Sequence, residues 1–95
     1  MKGYEKVKEL IEGELGNYPY FDIGEIKLSD SYSQTEEDEY YEVDISCLRH
    51  KKKTLYFHYD RNKEKIEIEL GEDNWEEVED FSSKIKYFWM ALLTW

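Results

Sequence analysis

Apolar positions along the chain follow two periods, and the switch between them marks out its elements. Over residues 2–15, Tyr4, Val7, Ile11 and Leu15 recur at helical spacing, and Leu10 widens the stripe. That pattern predicts a helix with one buried face. Gly16 and Asn17 are stop residues, and Pro19 prevents continuation. Beyond Ile23 the period falls to two. Residues 23–29 predict a first strand with Ile26 and Leu28 inward; Ile23 is out of phase with them, which points to a bulge at Gly24. Residues 30–39 have no apolar period and read as a mobile acidic loop.

Alternation then becomes regular. In residues 40–48, Tyr41, Val43, Ile45 and Cys47 point one way and Glu42, Asp44 and Ser46 the other. Residues 54–60 set Leu55, Phe57 and Tyr59 against Tyr56 and His58, and residues 65–70 set Ile66, Ile68 and Leu70 against Lys65, Glu67 and Glu69. Residues 49–53 form a basic turn and residues 61–64 a second turn, so these strands pair as antiparallel hairpins. With the basic turn centred on Lys51, Cys47 faces Leu55, Ile45 faces Phe57, Val43 faces Tyr59, Asp44 faces His58 and Glu42 faces Asp60. The next turn sets His58 opposite Glu67. Both registers keep the apolar residues on one face.

Asp73 or Asn74 suits a helix N-cap, with Glu76 or Glu77 three residues on completing a capping box. Trp75, Val78, Phe81, Ser82, Ile85, Phe88, Trp89 and Leu92 then form the buried stripe of a long C-terminal helix. The expected fold is α+β: a single small domain over residues 1–95, in the order α-β-β-β-β-α, with an antiparallel meander sheet and both helices on one face.

Composition narrows the function classes. Aromatic residues make up 17% of the chain, so large rings supply much of the core. A single cysteine, Cys47, rules out an internal disulfide and suits a reducing compartment. The first residues lack the apolar stretch of a signal peptide, and no apolar run approaches the roughly 20 residues that span a bilayer. The expected location is cytoplasmic. A net charge of −10 disfavours direct binding to DNA, RNA or an anionic membrane and favours a basic protein partner.

Catalytic chemistry finds little footing. Cys47, His50 and His58 are the only cysteine and histidines, too few for a four-ligand zinc site, and Cys47 points into the core while His58 points out. Paired carboxylates act as acid and base only in a cleft that raises one of their pKa values, and a flat sheet face has none. No phosphate loop or hydrolase motif is present. The expectation is a binding protein with no catalytic residue, cofactor or metal.

Acidic clustering is the main feature. Seven carboxylates and no cation lie between Asp30 and Asp44, and six carboxylates and no cation between Glu72 and Asp80. The expected partner-binding set is the loop residues Glu36, Glu37, Asp38 and Glu39 and the sheet residues Glu42, Asp44, Tyr56, His58, Glu67 and Glu69. Such an array resembles a phosphate backbone in charge. A second interface is expected on the aromatic C-terminal helix, at Tyr87, Trp89, Met90 and Trp95, where a homodimer would form. By analogy with small acidic inhibitors of phages and mobile elements, including anti-CRISPR proteins and DNA mimics, the leading expectation is an inhibitor of a basic nucleic-acid-binding surface. The alternatives are an immunity protein against a basic nuclease toxin and a structural or adaptor subunit.

Overall fold

A computed structural model describes residues 2–15, 21–47, 52–71 and 74–78 of the chain. The first element is helix α1, Lys2–Leu15, followed by strands β1 (Phe21–Ile23), β2 (Lys27–Leu28), β3 (Asp38–Cys47), β4 (Lys53–Asp60), β5 (Lys65–Gly71) and β6 (Asn74–Val78). Strands β3 to β6 form an antiparallel meander, and β1 and β2 both pair with the outer side of β3. The α+β class and the antiparallel sheet therefore stand.

One face of the sheet carries the core. Tyr41, Val43 and Ile45 of β3, Leu55, Phe57 and Tyr59 of β4, and Ile66 and Ile68 of β5 are buried together with Val7, Leu10 and Ile11 of α1. This is the face that alternation assigned. The helix approaches closely at Gly3, where a Cβ would lie 2.6 Å from Glu39 Oε1, 2.8 Å from Tyr41 Cε2 and 2.9 Å from Tyr59 Cδ2. Any side chain there would push the helix off the sheet or displace three packed residues.

Four expectations need correction. The first strand is two short ones, separated where the Gly24 amide donates to the Asp44 carbonyl at 2.7 Å. The interruption leaves Leu28 41% exposed, while Ile26 packs against the core. The second strand begins at Asp38, so Asp38 and Glu39 belong to β3 and the acidic loop ends before them.

The β3–β4 register also differs. Tyr41 faces Phe57, Val43 faces Leu55, Ile45 faces Lys53 and Asp44 faces Thr54. Each partner is displaced by four positions from the expected pairing. An even slip keeps every side chain on its face, which is why the hydrophobic pattern cannot detect it. The observed register replaces the Glu42–Asp60 apposition with Glu42–Tyr56 and gives Asp44 a hydroxyl donor, Thr54 Oγ1 at 2.6 Å. In the β4–β5 hairpin His58 does face Glu67.

Finally, residues 74–78 form β6 and not the first turn of a helix. Gly71 faces Asn74 and Ile66 faces Val78 across the β5–β6 hairpin. Asn74, one of the two residues read as a helix cap, is instead the first residue of β6, and Asp73 lies outside the described residues. Trp75 thereby moves from the expected buried stripe to the outer face beside Glu69. The remainder of the expected C-terminal helix lies outside the described residues, including Phe81, Ile85 and the second-interface residues Tyr87, Trp89, Met90 and Trp95.

Candidate functional site

The outer face of the meander, opposite α1, gathers most of the expected partner-binding residues. Reading across the strands, Tyr40 faces His58, His58 faces Glu67 and Glu67 faces Glu77, while Glu42 faces Tyr56 and Glu69 faces Trp75. Alternation puts Asp38, Tyr40, Glu42 and Asp44 of β3, Tyr56, His58 and Asp60 of β4, Glu67 and Glu69 of β5 and Trp75 and Glu77 of β6 on this face. All of them are half-buried.

Aromatic rings fill the middle. Tyr32, from the loop between β2 and β3, stacks on Tyr40 with centroids 5.0 Å apart, and Tyr40 stacks on His58 at 4.7 Å. Tyr56 and Trp75 meet Tyr32 edge to face at 5.5 Å each. Such contacts contribute about 0.5–1.5 kcal/mol per pair beyond area burial. Burial, with the carboxylates of Asp38 and Glu67, raises the Tyr40 phenol above its ordinary pKa.

Carboxylates surround the rings, and several are held in place. His58 lies between two of them, with Nδ1 2.7 Å from Glu67 Oε1 and Nε2 2.8 Å from Asp38 Oδ1. An imidazolium donates to both; a neutral ring donates to one. The Tyr32 hydroxyl donates to Glu69 Oε2. The Thr54 hydroxyl, aided by the ammonium groups of Lys52 and Lys27, lowers the Asp44 pKa below the usual carboxylate value, against a smaller opposing effect of burial. Asp60 is lowered as well, first by the Lys63 amide and also by the Asn62 amide, both of which donate to it and close the β4–β5 turn.

The loop that delivers Tyr32 is fastened through backbone mimicry. Gln34 Oε1 accepts from the Tyr40 amide at 2.7 Å, and Gln34 Nε2 donates to the Tyr40 and Ser29 carbonyls at 2.9 Å each. The carboxamide thus pairs with Tyr40 as a neighbouring strand would. Thr35 Oγ1 accepts from the Asp38 amide at 2.9 Å, and Arg61 donates from its own amide to the Glu37 carbonyl at 2.8 Å.

The loop and strand acids separate. Glu36 and Glu37 are exposed, and Asp38 joins the outer face. Glu39 does not. It lies on the helix side of the sheet, 8% exposed, accepting from the Tyr41 hydroxyl and with Arg61 Nε 3.5 Å from its second oxygen. Its alternation with Tyr41 and Val43 was the available signal, obscured by the acidic run in which it sits. Tyr32, Tyr40 and Trp75 are site residues that sequence reasoning missed. Tyr40 alternates with Glu42 and so carried a signal, whereas Tyr32 sits in an aperiodic loop and Trp75 fits a helical stripe.

Among the described residues no group of histidine, cysteine and carboxylate side chains is arranged to hold a metal ion, and no helix is long and apolar enough to cross a membrane. No protein-family model, curated protein or solved structure matches the chain. Its function must be argued from the outer face itself.

Proposed function

We propose that this chain is a binding protein, not an enzyme, and that its outer sheet face occupies a basic, nucleic-acid-binding surface on another protein. In this reading it is a nucleic-acid-mimicking inhibitor of the kind that phages and mobile elements, anti-CRISPR proteins among them, direct against host enzymes. One observation carries the reading: files of carboxylates on β3 (Asp38, Glu42, Asp44) and β5 (Glu67, Glu69) flank the aromatic band of β4. Two strand spacings separate the files by about 9.5 Å; Glu42 and Asp44, like Glu67 and Glu69, lie about 7 Å apart, and Asp38 lies about twice as far from Glu42, with Tyr40 between them. Fixed negative charge at such spacing steers a basic surface into register, and half-buried aromatic residues supply the apolar anchors of an interface.

Neutralisation tests this without distorting the face, because amides keep one oxygen acceptor per side chain. Glu42→Gln, Asp44→Asn, Glu67→Gln and Glu69→Gln are combined in one variant, with Glu36→Gln and Glu37→Gln combined in a control. Both are immobilised beside the unaltered protein and exposed to lysate of the native host. The expected result is a nucleic-acid-binding protein retained by the unaltered chain and the loop control, released by duplex DNA, and lost from the sheet variant. Equal retention on all three surfaces, or retention indifferent to DNA, would overturn the proposal.

A further inference from the structure

We infer that His58 is a proton-operated latch: the charged ring fastens the start of β3 and its acidic loop to the sheet, and the neutral ring releases Asp38. The latch works in the free protein, so it stands or falls apart from the binding proposed above. Both ring nitrogens meet acceptors, with Nδ1 2.7 Å from Glu67 Oε1 and Nε2 2.8 Å from Asp38 Oδ1. Two carboxylates at such distances are satisfied together only by a ring with a proton on each nitrogen. The ring has little freedom to turn away. It is 12% exposed, stacked on Tyr40 at 4.7 Å and met edge-on by Trp75 at 6.3 Å. Water therefore has little access to replace a lost donor, and an acceptor left facing a lone pair must move.

The strand register tells which carboxylate gives way. Glu67 lies within β5, paired with His58 on one side and Glu77 on the other. Asp38 is the first residue of β3 and faces Asp60. The Lys63 and Asn62 amides donate to Asp60 and hold its carboxyl below the usual carboxylate range, so the group opposite Asp38 is charged. Like charges directly opposite destabilise a strand pair, and an imidazolium beside them offsets that repulsion. Among the described residues, the titratable groups facing the ring are Asp38 and Tyr40 of β3 and Glu67 of β5, with Asp60 next along its own face of β4. Glu77 of β6 lies one strand further, 2.8 Å from Lys65.

Loss of the proton on Nε2 thus unfastens Asp38 and returns its full charge to the end of the loop, beside Glu36 and Glu37. The Arg61 guanidinium still holds the Glu36 carbonyl at 3.1 Å, so the loop loosens without detaching. Histidine is the side chain suited to such a device, because its ordinary titration falls near neutral pH.

Amide hydrogen exchange, followed by NMR, reads the latch. The Arg61 amide, which donates to the Glu37 carbonyl at 2.8 Å, reports the start of β3, and the Gly24 amide, which donates to the Asp44 carbonyl at 2.7 Å, reports its far end. Protection of each is corrected for the exchange rate of an unstructured chain and plotted against the protonated fraction of His58, taken from its own ring-nitrogen signals. The expected result is a loss of about tenfold at Arg61 as the ring becomes neutral, with Gly24 unchanged. His58→Gln, with one amide nitrogen to donate, should show the low value at every pH. Equal protection at Arg61 for the charged and the neutral ring overturns the latch. A parallel loss at Gly24 overturns its confinement to the start of β3. A pH-dependent loss at Arg61 that persists in folded His58→Gln overturns the assignment to this ring. Should that variant not fold, by near-ultraviolet circular dichroism, the latch still fails on the unaltered protein if protection at Arg61 does not follow the ring signals.

Discussion

Tyr41 ties together three groups that would each be costly alone. Its ring is fully buried, its hydroxyl donates to the buried Glu39 carboxylate, and its oxygen accepts from the Tyr4 amide. That amide belongs to the first turn of α1, where backbone donors have no partner within the helix. The sheet thus caps the helix. Burial, and then the bond to Glu39, raises the phenol well above its ordinary value of 10.0. A folded value above the unfolded one means that the associated stability is full below about pH 10 and is lost as pH climbs through the folded value. Tyr41→Phe should therefore cost about 1–3 kcal/mol at neutral pH, by leaving a buried carboxylate and an amide short of a partner. Its deficit relative to the unaltered protein should shrink in alkaline solution. Urea unfolding across pH measures both effects, and a deficit that holds constant above pH 10 would contradict the assignment.

At the scale of elements, Gln34 completes the hydrogen bonding of β3 on the edge away from β4, where β2 ends at Leu28 opposite Tyr41 and does not extend to Tyr40. Gln34→Ala should remove the acceptor of the Tyr40 amide, speed its hydrogen exchange and loosen Tyr32 from the rings, at about 1–2 kcal/mol in stability. Unchanged exchange at Tyr40 would show that the carboxamide contributes nothing there. No periodicity could reveal this clasp, since a glutamine in a polar loop carries no pattern. The faces of β3, β4 and β5 were legible because alternation at Tyr41, Val43, Ile45, Leu55, Phe57, Ile66 and Ile68 has one physical reading. The register of the first hairpin was not, because a slip of four positions buries the same residues. β6 was misread because Trp75 and Val78 are spaced as a helix would space them and Asp73 and Asn74 cap helices as readily as they make turns. Glu42, Asp44, Tyr56, His58, Glu67 and Glu69 were legible as outward-facing positions on the alternating strands. Their ring partners Tyr32 and Trp75 were not, because each reaches the face only through tertiary structure.

Over the whole molecule, a net charge of −10 opposes folding through self-repulsion while it favours a basic partner. The two effects respond to salt with opposite signs. Screening at about 0.1 M shortens the reach of each exposed charge to about 10 Å, so added sodium chloride should stabilise the free protein and weaken the proposed complex. A gain on the order of 1 kcal/mol would raise the Tm by about 4–8 °C for a chain of this size. Calorimetry at low and moderate salt reads the first effect, and a falling Tm would mean that the ion pairs of Lys52 and Lys65 outweigh the repulsion. The alternation of β4 has a consequence of another kind. Thr54, Tyr56 and His58 meet the outside, and Leu55, Phe57 and Tyr59, their immediate neighbours in sequence, hold the protein together. If the outer face is the binding surface proposed above, selection by a changing partner would act on every second codon of this strand, while selection for a folded product would guard the codons between. Such a strand can change its specificity by single substitutions, and a lineage built on it can follow a partner through many generations without rebuilding its core.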